Sequence, residues 1–166
     1  MLNFPDPGDT IEIQLFDPPV KNGESKSEFE VKKKEFAENR GLVKLKIKLI
    51  GRTKYINASY AIRNIQADET RRIYERRRED PEKLDEELHS EDFFSEEYVQ
   101  ATDAWARSVL IGTLEAVAGF KVGGKPVEKI DDGEKLIEVL SFAGWLEQAA
   151  GRALARQAPG VAERFL

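Results

Sequence analysis

The chain has 166 residues, 40% of them hydrophobic and 34% charged, with a net charge of −5, which is enough apolar residue for one buried core under a strongly solvated surface. It has no cysteine and a single histidine, His89. This excludes a disulfide framework, a thiolate metal site and a cysteine nucleophile, and leaves no second histidine for a metal site.

The overall balance hides a reversal. Residues 26–78 carry 16 Lys+Arg against 7 Asp+Glu, a balance of +9, and residues 79–103 carry 1 against 11, a balance of −10. Opposed charged surfaces of this kind suit contact with other macromolecules.

In chain order, residues 1–9 hold two prolines and a glycine and read as an irregular arm, with neither the basic nor the apolar region of a signal peptide. Ile11, Ile13 and Leu15 alternate with Glu12 and Gln14, the pattern of a half-buried strand. Phe29 and Val31 alternate within residues 28–36, which predicts a second strand. Residues 42–50 give the clearest strand signal, with Val43, Leu45, Ile47 and Leu49 on one face and Lys44, Lys46 and Lys48 on the other. The alternation continues after Gly51 through Ile56, Ala58, Tyr60 and Ile62, so residues 42–63 are expected to form a β-hairpin with a lysine-lined solvent face.

Asp68 then suits the N-cap of a short helix reaching about Asp80 before Pro81, with an arginine-rich face of Arg71, Arg72, Arg76, Arg77 and Arg78. Residues 81–94 form an acidic linker. Ser95 caps the main helix, expected over 95–118, whose stripe includes Trp105, Val109, Leu110, Leu114 and Val117. Residues 120–127 read as a small hairpin or an extended turn, and Asp131 or Asp132 caps a helix carrying Leu136, Ile137 and Leu140. A last helix over about 141–157 presents Trp145, Ala149, Ala153 and Leu154 and ends at Pro159-Gly160. The expected fold is α+β: a β-rich domain at 1–80 built on a small antiparallel sheet, then the linker, then a helical domain at 95–166. Residues 105–122 are too charged to span a membrane.

Catalytic signals are weak. Gly119 to Lys125 has the spacing of a phosphate-binding loop, but Pro126 stands where Ser or Thr must ligate magnesium, and the segment follows a helix instead of opening one. His89 lies among acidic residues with no triad partner, and Asp131-Asp132 reads as a cap. The expectation is therefore a non-enzymatic protein without cofactor or metal. The candidate interaction residues are Lys44, Lys46, Lys48, Arg71, Arg72, Arg76 and Arg77, with Trp105 and Trp145 read mainly as core. The basic segment is expected to meet acidic protein surface, either its own 79–103 or another subunit. The adjoining acids would repel a nucleic acid, and the sheet lacks the aromatics that stack single-stranded bases.

The stretch YVQATDAWARSVLIGTLEAVAGF, the turn Gly-Gly-Lys-Pro-Val and the Asp-capped DDGEKLIEVL, spanning residues 98–140, resemble the tail assembly chaperones of long-tailed bacteriophages. The Asn-Ile-Gln-Ala-Asp-Glu passage at 64–69 is similar to an entry from strand to helix in such small phage proteins. The resemblance implies a non-enzymatic morphogenesis protein that binds phage tail proteins or itself in the host cytoplasm during assembly, and transfers no catalytic residues. The long β-rich first half and the alanine-rich last helix depart from the pattern. They leave room for a structural component of tail, neck or baseplate within the virion, or for a nucleic-acid-binding accessory protein using residues 26–78.

Overall fold

A computed structural model describes residues 8–82, 94–127 and 132–163. His89, Asp131 and most of the acidic linker lie outside the described residues. The elements are β1 (Thr10–Gln14), α1 (Lys26–Glu38), a 3₁₀ turn (Arg40–Leu42), β2 (Lys44–Lys48), α2 (Arg52–Glu79), α3 (Glu96–Leu110), β3 (Leu114–Ala118), β4 (Phe120–Val122), β5 (Lys125–Val127), α4 (Gly133–Phe142) and α5 (Leu146–Glu163). The α+β class holds.

Strands β1, β2 and β3 form an antiparallel sheet with β2 in the centre. Period-2 alternation sends Ile13, Leu45 and Ile47 into the core and Glu12 and the three lysines to the other face, and a register shift in β3 brings both Leu114 and Val117 to the core side. The helices cover the apolar face. Leu110 of α3, Leu136, Ile137 and Leu140 of α4, and Ala149, Ala150 and Ala153 of α5 join the same buried cluster. Each large aliphatic side chain buried there contributes about 1.5–3 kcal/mol. The two halves therefore share one sheet and one core, because the third strand comes from the region expected to be helical.

Four expectations are corrected. Residues 28–36 are helical: Ser25 accepts from the Glu28 N–H while Glu28 accepts from the Ser25 N–H, a reciprocal cap that starts α1. Only the first arm of the expected 42–63 hairpin is a strand. Residues 52–79 form one helix of 28 residues, with Asp68 in its interior. Only Ala58 and Ile62 of the alternating residues belong to the helical stripe; with Tyr55 and Ile65 they pack on the core along it, and Tyr60 is exposed on the other side.

The main helix stops at Leu110 rather than running to 118. Gly112, at φ +75°, turns the chain, and residues 114–118 become β3. Finally, the expected helix over 141–157 is split differently. α4 runs through Phe142, a turn at Gly144 follows, and α5 continues past Pro159 to Glu163. Proline removes one backbone donor without ending that helix.

Several expectations hold. Ser95 caps α3 by accepting from the Tyr98 N–H at 3.1 Å. Asp132 caps α4 by accepting from the Glu134 N–H. Residues 120–127 form the β4–β5 hairpin. Trp105 is 8% exposed, and its indole N–H donates to the Ala58 carbonyl of α2 at 2.9 Å. Trp105→Phe should keep the fold and cost about 1–2 kcal/mol, the net worth of that bond plus some packing. Urea denaturation checks this.

Candidate functional site

The lysine face of the sheet is built by a local irregularity. Lys46 pairs with Ala116 and Ile47 with Leu114, which leaves Glu115 as the extra residue of a β-bulge. The bulge sets the Glu115 carboxylate between Lys46, at 3.8 Å, and Lys48, at 3.5 Å. Lys44 meets Glu12 across the β1–β2 ladder at 3.3 Å. Among the described residues, the acids that meet the basic strand are contributed by β1 and β3. All three lysines stay about half exposed, so each pair contributes only about 0–1 kcal/mol and leaves the ammonium groups open to exchange.

The arginines expected on one face of a short helix are divided between two faces of a long one. Arg72 lies on the packed side and grips Glu69 through Nε and Nη2, the shorter contact being 2.6 Å. Arg76, on the same side, is half-buried. Arg71 and Arg77 point into solvent, as does Arg78. Glu69 is only 6% exposed and also accepts from the Ser95 hydroxyl at 2.7 Å and the Ser95 N–H at 3.2 Å. Its carboxyl is lowered to about 2, first by the Arg72 hydrogen bonds and then, against the cost of burial, by those from Ser95. The cluster pins α2 to the start of α3. A glutamate on the line of Ile62 and Ile65 is the sequence signal that would have found it.

The two tryptophans diverge. Trp105 belongs to the core. Trp145 is half-buried in the turn between α4 and α5, edge-on to Phe16 with centroids 5.1 Å apart and 6.2 Å from Phe120. It floors a groove of ≈ 510 Å³ between the hairpin and the end of α4, lined also by Phe120, Val139 and Phe142. Phe142 is 93% exposed, the most exposed of the large apolar side chains among the described residues. Sequence reasoning passed over it, although it falls off the stripe of Leu136, Ile137 and Leu140 and so had no place in the core.

No group of three or more His, Cys, Asp or Glu is placed to hold a metal among the described residues. Gly119 to Lys125 is strand and hairpin, not a loop opening a helix, so a phosphate would find no helix N-terminus there. No helix among the described residues is long and apolar enough to cross a membrane. Comparison with protein families, curated proteins and solved structures gave no match.

Proposed function

We propose that this chain is a non-enzymatic bacteriophage tail morphogenesis protein, similar to tail assembly chaperones, that binds other tail proteins during assembly in the host cytoplasm. The observation that carries the reading is the apolar groove of Phe120, Val139, Phe142 and Trp145, which closes the stretch bearing the resemblance and leaves a phenylalanine in water. An aromatic ring exposed to that degree beside a half-buried tryptophan is the composition of a protein-binding patch. Covering it would contribute about 2 kcal/mol per buried ring. The charged faces would set orientation and association rate more than affinity.

Phe142→Asp should change folding stability by no more than about 0.5 kcal/mol, because the side chain is solvated already. It should abolish co-purification with a co-expressed phage tail protein. Mass spectrometry of purified particles separates the two forms of the reading. A chaperone is required for tails yet absent from the particle, whereas a constant copy number per particle would make the chain a structural component.

A further inference from the structure

The geometry points to a second binding surface: the solvent face of α2 is a ridge that takes an acidic segment of a partner protein. This inference stands on α2 alone and is independent of the tail reading.

Along α2, Tyr60, Arg63, Ala67, Arg71, Tyr74 and Arg78 follow one another at steps of three and four residues. At 3.6 residues per turn they lie on one line, half a turn away from the packed stripe of Ala58, Ile62, Ile65 and Glu69. All six are exposed, and the two tyrosines are 61% and 62% exposed. The line spans about 27 Å.

Its composition is not that of an ordinary solvated face, which mixes charges of both signs. It contains three arginines and no carboxylate. Arg63 and Arg78 make no ion pair among the described residues, and Arg71 pairs only with Asp68, at 3.0 Å, with both side chains mostly in water. Such a pair contributes about 0–1 kcal/mol and yields readily to a better partner. Tyrosine and arginine are the residue types that carry binding energy at protein interfaces. Tyr60 and Tyr74 stand two heptads apart with Ala67 midway, a spacing that lets a second helix or strand approach closely at the centre.

Charge selects the occupant. Two copies meeting ridge to ridge would bring six guanidinium groups together, so the ridge does not pair with the same ridge of a second copy. A nucleic acid running along it would next meet Glu79, Asp80 and Glu82, which follow Arg78 directly. A protein segment of about 18 residues ends before them. Its carboxylates would oppose Arg63, Arg71 and Arg78, and its apolar or small side chains would rest on the tyrosine rings.

The test selects a random peptide library, with inserts of about 18 residues, on the full-length chain. Peptides with Asp and Glu at helical spacing should be enriched. Their binding should weaken at least about tenfold with Arg63→Glu, Arg71→Glu and Arg78→Glu combined, and again with Tyr60→Ala and Tyr74→Ala. Phe142→Asp should leave it unchanged, which separates this surface from the apolar groove. Unchanged circular dichroism and melting would show that the variants fold. Enriched peptides without acidic bias, or binding indifferent to the ridge variants, would overturn the proposal. So would a DNA duplex that binds more tightly than the peptides at physiological salt and is lost with the arginine reversals.

Discussion

Gly119→Ala is expected to destabilise the fold by about 3 kcal/mol or more, lowering the melting temperature by about 10 °C. Two causes act together. The residue sits at φ +83°, where a Cβ is strained. A Cβ there would also lie 1.6 Å from the Leu42 carbonyl oxygen, which is backbone and cannot rotate aside. The chain leaving β3 crosses directly over the entry to β2, and only glycine permits that approach. Gly151→Ala is the control. It lies inside α5 with nothing within 4 Å of the added carbon, so it should be neutral or stabilise by up to about 1 kcal/mol. A chemical-denaturation series on the two variants checks both values.

The second large effect is acid sensitivity through Glu69. Its folded carboxyl titrates at about 2 against 4.5 in the ordinary state, so the folded form favours the ionised group. The stabilisation is fully present above pH 4.5 and is lost as the pH falls towards 2. A depression of that size corresponds to about 3 kcal/mol at most. Glu69→Gln should remove most of it, because an amide cannot match the charge-assisted bonds to Arg72 and Ser95. The difference in unfolding free energy between wild type and variant should be largest at neutral pH and shrink through the acid range. A constant difference from pH 7 to pH 2.5 would show that Glu69 contributes packing alone.

What could be read from the sequence depended on whether one periodicity stood alone. In residues 10–14 and 44–48 strict alternation had no helical counterpart, and both strands were legible. In residues 52–65 a period of two, through Ile56, Ala58, Tyr60 and Ile62, competes with a period of 3.6, through Tyr55, Ala58, Ile62 and Ile65. Gly51 offers no capping side chain to break the tie, so the helix was read as a strand. The helix at 26–38 carried a decisive signal in Ser25 and Glu28, but it was outweighed by the alternation of Phe29 and Val31. Strand β3 was hidden because Leu114 and Val117 extend the helical stripe of α3, and only Gly112 marks the break.

At the surface, the lysines were placed on their correct face, since strand alternation fixes it. The partner Glu115 was not legible, because a bulge depends on pairing between distant strands. The arginines were legible as a group but not as two faces, because the start of the helix, and hence its rotation, had been set at Asp68.

The sheet's wiring bears on how the chain reaches this fold. The central strand pairs with β3 across some 70 positions of sequence, Lys46 with Ala116, so its second edge stays bare until most of the chain has left the ribosome. Such distant pairing slows folding, since the loop must close before any of its contacts form. During that interval Lys44, Lys46 and Lys48 act as gatekeepers. Their mutual repulsion opposes the stacking of one nascent KLKIK segment on another, and it relaxes only when Glu115 arrives with the strand that closes the edge.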